Sequence, residues 1–306
     1  MESKLRDREN EAAEEVMSEV HLGCPPNNDA PFISHFTFSL ENEPTCHNHL
    51  IHIDQDGDLI LPRRDKHIRH STCITIQHNI TSTIPSVGLQ VWRAELVLAD
   101  YVLHNMFSSS RFSGVVAIEL GAGTGLVGIL IAQVAESVFI TDHGVEVLDN
   151  CATNVHINSG MFRSKSVKVR ELDWLNPWPP LQLGAQTRYS WTPSEVEEVS
   201  RASVLLAADV IYSDELTDAF FSILEKLMCQ DTEKVLYLAL EKRYNFTMND
   251  LDVVANGYSH FLSYLTANNG FTGKCVDLSV IPQYVREYER GNDVELWEIN
   301  YIAENN

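Results

Sequence analysis

Four apolar runs in this 306-residue chain each lead into residues that can do chemistry. Val115-Val116-Ala117-Ile118-Glu119-Leu120 enters Gly121-Ala122-Gly123-Thr124-Gly125. Glycines let a backbone turn sharply and approach a ligand closely. A helix starting just beyond them offers unpaired N–H groups, so the loop can cradle an adenosine-like body. Asp142 closes the second run, where a carboxylate can accept hydrogen bonds from both hydroxyls of a ribose. Asp173-Trp174 closes the third; the indole could flank an adenine or pack under the following loop. Ala207-Ala208-Asp209-Val210-Ile211-Tyr212 closes the fourth. There Asp209 could hold an incoming nucleophile and Tyr212 could wall the site, although an Asp ending a strand also serves as a helix cap, a job for which Ser213 and Asp214 compete.

Such residues converge only if the runs lie side by side. Apolar spacing predicts a helix over 90–106, then strands at 115–120, 138–141 and 167–172 alternating with helices at 126–134 and 145–157. A proline-containing stretch over 176–200 delays the next strand and reads as a surface insertion. The pattern resumes with a strand at 204–208, a helix at 214–228, a strand at 235–240 and a helix at 250–265. Alternation of this kind implies a parallel sheet covered by helices, with ligands at the carboxyl ends of the strands. Strands expected at 275–281 and 294–300 have only a short polar link between them, so they must pair antiparallel as a terminal hairpin. Upstream, β-rich runs at 33–40, 50–53, 59–61 and 72–78 surround Asp56-Gly57, a tight-hairpin dipeptide. The expected organisation is a mobile acidic arm (1–30), a small β extension (31–84) and the main domain (85–306).

Gly123, Gly125 and Gly128 also satisfy G-x-G-x-x-G, so a nicotinamide dehydrogenase is a competing reading of the loop. Glu119 favours a different ligand. S-adenosylmethionine has no pyrophosphate but carries an amino acid tail, whose ammonium needs a carboxylate, and Glu119 is placed to serve it directly or through water. Methyl transfer from a sulfonium is an in-line displacement. The protein must align a lone pair and exclude water, and Asp209 would orient the nucleophile rather than act as an obligatory base.

These residues, from Glu119 through Asp142 and Trp174 to the D-x-x-Y of Asp209 and Tyr212, together with Gly88-Leu89-Gln90-Val91-Trp92, resemble the seven-β-strand protein lysine methyltransferases of methyltransferase family 16. The resemblance runs from about Gly88 to Asn300. It implies an α/β, doubly wound, seven-stranded class I methyltransferase sheet of Rossmann-like type. It further implies a cofactor pocket lined by Trp92, Gly121, Gly123, Asp142, Trp174 and Ala208, with Asp209 and Tyr212 facing the target lysine. A nuclear setting and a basic nucleic-acid-binding protein as substrate are implied as well.

Composition bounds the alternatives. A formal net charge of −21 with a pI near 4.8 opposes direct contact with nucleic acid and suits a basic protein partner. The six cysteines form no C-x-x-C pair and read as reduced thiols. The first residues lack a signal-peptide pattern and no run is long enough to span a bilayer, so a monomer of nucleus and cytoplasm is expected. Cys46-His47-Asn48-His49 with His52 fits no closed zinc pattern, and no metal is expected. An adenine methyltransferase would pair its Asp or Asn with prolines, which Val210-Ile211 lacks. A small-molecule methyltransferase and a non-catalytic cofactor-binding module remain the other readings.

Overall fold

A computed structural model describes residues 15–21, 31–39, 71–180, 186–229, 233–247, 252–266 and 269–302. The expected strands at 50–53 and 59–61, the Asp56-Gly57 turn and the Cys46-to-His52 run lie outside these residues. In chain order the strands are β1 (Glu15–Met17), β2 (Phe32–Ser39), β3 (Ser71–His78), β4 (Thr81–Thr83), β5 (Val116–Leu120), β6 (Ser137–Asp142), β7 (Ser166–Glu171), β8 (Val204–Ala208), β9 (Val235–Glu241), β10 (Asn245–Thr247), β11 (Asp252–Val254), β12 (Phe271–Cys275) and β13 (Val294–Tyr301). The helices are α1 (Arg93–Ser108), α2 (Leu126–Ile131), α3 (Val145–Ile157), α4 (Pro193–Ser200), α5 (Asp214–Met228) and α6 (Asn256–Thr266).

Seven strands form one sheet in the order β12-β13-β9-β8-β5-β6-β7. β9, β8, β5, β6 and β7 run parallel, while β13 is antiparallel to both β9 and β12. This is the doubly wound class I methyltransferase topology. Strand alternation sorts the side chains between two cores. Ala117, Val138, Ile140 and Leu206 join α1, α2 and α3 on one face, whereas Val116, Ile118, Leu120, Phe139 and Leu205 join α4, α5 and α6 on the other. Glu119 shares parity with Ala117, so its carboxylate points among α1 and α2 instead of into solvent. The chain order changes direction between β5 and β8, and the crevice at their carboxyl ends is where such sheets bind ligands.

α4 falls inside the stretch read as an irregular insertion. Pro193 occupies its first turn and Thr192 caps it, with Thr192 and Glu195 forming a reciprocal capping box. Tyr189 and Trp191 just before it are buried, so this part of the stretch belongs to the core. The helix expected at 250–265 is shorter: Asp252–Val254 pairs with Asn245–Thr247, and α6 begins only at Asn256. Adjacent β-branched Val253 and Val254 suit a strand. The strand expected at 275–281 ends at Cys275, and the chain then makes a 3-10 turn at Leu278–Val280, where Asp277 Oδ1 accepts the Ser279 N–H. α1 starts three residues later than expected because Gln90 and Trp92 are extended.

Residues 15–21, assigned from sequence to a mobile arm, are built into the fold. β1 pairs antiparallel with β4. The fully buried Gln90 clamps the segment: its Oε1 accepts from Ser18 N–H at 2.8 Å, and its Nε2 donates to the Val16 carbonyl at 3.0 Å and to Ser82 Oγ at 2.6 Å. The β2–β3 hairpin packs Phe36, Phe38, Ile74 and Ile76 into the first core. Asn154 of α3 donates to the Gln77 carbonyl and accepts its N–H, substituting a side-chain amide for a neighbouring strand.

Candidate active site

The four motif-bearing strand ends open onto one cavity of ≈ 290 Å³. Trp92, Glu119, Gly121, Gly123, Asp142, Trp174, Ala208, Asp209 and Tyr212 all line it. Each site residue selected from sequence is therefore brought to the same place.

The glycine loop explains its own composition. Gly123 has φ +52, and a Cβ there would lie 2.9 Å from the Gly88 carbonyl oxygen, so backbone packs on backbone. Gly128 leaves room for Glu119, whose Oε2 would be 2.5 Å from an added Cβ and accepts the Gly128 N–H at 2.8 Å. Both Asp142 oxygens are oriented by backbone donors, Oδ2 by Gly123 N–H and Oδ1 by His143 N–H, each at 2.7 Å. Trp174 both lines the cavity and packs on Phe220, with ring centroids 5.1 Å apart. Its indole N–H is buried and has no hydrogen-bond partner among the described residues. Trp92 donates its indole N–H to the Val87 carbonyl at 3.0 Å and presents its ring to the cavity.

Two carboxylates sit deep in the floor. Burial, then the nearby Glu95 charge, raises Glu119 well above the usual carboxylate range. Glu95, from the first turn of α1, accepts from Thr124 Oγ1 at 2.7 Å, yet burial still pushes it up to about 7. Its position was not picked out from sequence. An acidic residue on the inward face of a helix that buries Ala94, Leu98 and Val102 was the available signal.

Asp209 directly follows β8 with φ 54, a left-handed conformation uncommon for a residue with a side chain. Its N–H donates to the Ala239 carbonyl at 2.9 Å, which pins the turn. The side chain is 4% exposed; Oδ2 accepts from Arg243, while Oδ1 is buried with no hydrogen-bond partner among the described residues. Burial raises its pKa and the Arg243 charge opposes that rise. Tyr212 stands 46% exposed at the mouth, its hydroxyl pushed up to about 12 chiefly by burial of the phenol oxygen's surroundings and then by Asp142. It stays protonated at neutral pH.

Fold and cavity define a class I methyltransferase, and the chain belongs to the lysine methyltransferase family, whose model matches residues 69–256. The chain is 37% identical to methyltransferase-like protein 22 of Homo sapiens over 267 residues, which is 84% of this chain and 64% of that protein. Its mouse counterpart is 36% identical over 80% of the chain and 63% of its own length. Protein N-lysine methyltransferase METTL21A of mouse is 33% identical over 56% of the chain and 69% of its own length. The chain thus spans somewhat less than two thirds of the two methyltransferase-like proteins. S-adenosylmethionine is the methyl donor of this site, and the buried carboxylates and unpaired indole N–H suit a ligand that brings an ammonium and hydrogen-bond acceptors.

Proposed function

We propose that this chain transfers a methyl group from S-adenosylmethionine to the side-chain amine of a lysine in a basic protein. The observation that carries the reading is Asp209, a buried carboxylate with one unpartnered oxygen, lining the cofactor cavity beside Tyr212. When bound, the cofactor supplies an electrophilic methyl on a sulfonium.

The protein's own residues do the rest. Asp142 accepts from the ribose hydroxyls with the lone pairs its two backbone donors leave free. Glu119 and Glu95 receive the ammonium. Trp174 flanks the adenine, while Gly121, Gly123, Ala208 and Trp92 provide close walls. A lysine amine, with an ordinary pKa near about 10.4, must be neutral to attack, and a desolvated mouth favours that form. Asp209 Oδ1 accepts an amine N–H and so directs the lone pair inward. Tyr212 covers the lysine stem and keeps water out.

The net charge of −21 supports a basic partner, and nucleus and cytoplasm are the proposed setting. Labelled methyl from S-adenosylmethionine, incubated with the chain and cell extract, should appear on lysine Nζ of discrete proteins when mapped by mass spectrometry. Label confined to small molecules, nucleic acid or other side chains would refute the reading.

A further inference from the structure

Asp209 is held from outside the cavity, and the hold runs through the amino-terminal segment. Arg243 follows β9. Its Nη2 donates to Asp209 Oδ2 and its Nη1 to Glu19 Oε1 at 2.7 Å. The guanidinium lies 4.9 Å from the centroid of the Trp92 ring, the aromatic wall of the cavity. Three elements far apart in sequence therefore meet on one planar group.

We propose that Arg243 is the positioning residue of methyl transfer: it fixes Asp209 by one oxygen, leaves the other for the amine, and is itself held in register by Glu19. This rests on the lysine-methylating reading above.

The geometry supports it in three ways. A fork donor can bind two carboxylates at once with fixed angles, which a lysine in its place cannot. Rotating the carboxylate would break the Oδ2 bond to Arg243, so Oδ1 keeps one direction. Finally, two carboxylates around one guanidinium leave one net negative charge, so the counter-ion does not cancel the attraction for a cationic substrate side chain. Residues 15–21 thus complete the site instead of merely preceding it.

The remaining charged groups facing Asp209 do not do this job. Glu95 acts on it only through space, Glu241 offers it a backbone N–H while its own carboxylate is paired with Arg93, and Tyr212 stays neutral. Arg243 lowers the Asp209 pKa and Glu19 raises it. Replacing the two partners must therefore move Asp209 in opposite directions.

The test uses the full chain saturated with S-adenosylhomocysteine and labelled at aspartate carboxyl carbons, with Asp209 assigned by difference from Asp209→Asn. In Arg243→Gln the Asp209 carboxyl should titrate at higher pH than in wild type; in Glu19→Gln, which keeps an acceptor for Arg243, it should titrate at lower pH. The acid limb of the methyl-transfer profile should move the same two ways. Arg243→Gln should lower kcat on the order of 10²-fold with little change in S-adenosylhomocysteine affinity, and Arg243→Lys should recover the titration but not the rate. Coincident titrations, or shifts of the same sign, would overturn the proposal. Should Arg243→Gln not fold, Glu19→Gln and Arg243→Lys still decide it. A wild-type chain that methylates no protein in extract overturns the reading of the site itself, whereas opposite titration shifts without any rate effect overturn only the positioning role.

Discussion

Glu95→Gln should make this protein more stable and a worse cofactor binder. The Glu95 residue is 6% exposed. Burial raises its carboxyl from 4.5 to about 7, against the hydrogen bonds from Thr124, Trp92 and Leu126 that favour the anion. Because the folded-state pKa lies above the unfolded one, the folded chain holds the extra proton between pH 4.5 and 7. Stability therefore falls as pH rises through that window, with no penalty below about 4.5 and the full penalty above about 7. A displacement of this size corresponds to about 3 kcal/mol. Glutamine carries no charge and keeps one acceptor, so it removes that penalty and loses roughly one hydrogen bond worth about 1 kcal/mol. The expected balance at pH 8 is a gain of about 2 kcal/mol, or about 4 °C in Tm, turning to a loss of about 1 kcal/mol at pH 4. Urea unfolding at both pH values reads the difference. Equal destabilisation at pH 4 and pH 8 would refute the idea that a buried charge is stored there. The compensating cost should appear in calorimetry, where the variant binds S-adenosylhomocysteine more weakly because it has lost a carboxylate facing the ammonium.

Other residues make independent predictions. Gly123→Ala must adopt a left-handed conformation and press a methyl onto the Gly88 carbonyl, so cofactor affinity should fall by about 2 kcal/mol, roughly 30-fold, in the same calorimetric titration. Gln90→Ala removes the clamp on residues 15–21 and leaves buried backbone groups unpaired; about 2–3 kcal/mol of stability should be lost, with amide exchange accelerated at Ser18. Thr192→Ala deletes the cap of α4 and should cost about 1 kcal/mol in urea unfolding without altering cofactor affinity.

Much of the scaffold was legible because its elements carry clean periods. α3, β8 and α5 begin and end where the apolar spacing says they should. The terminal hairpin followed from the absence of a crossover between β12 and β13. The candidate site was legible for a related reason: in a parallel sheet every strand delivers its last residue to the same edge, so residues far apart in sequence need no contact information to be grouped. α4 was missed because Pro193 reads as a breaker in isolation, yet a first-turn proline loses no hydrogen bond. Glu19 lay beyond reach, being one of many acidic residues near the amino terminus and joined to Arg243 across 224 positions. No local pattern distinguishes the acid that completes a site from its solvated neighbours.

In the proposed reaction Asp209 handles the amine while the rest of the cavity holds the methyl donor. Asp209→Asn separates these most directly when S-adenosylhomocysteine binding and labelled-methyl transfer to extract proteins are measured on the same preparation. Cofactor affinity should stay within a few-fold of wild type and transfer should fall on the order of 10²-fold or more. Transfer at the wild-type rate, or cofactor binding lost together with transfer, would contradict it.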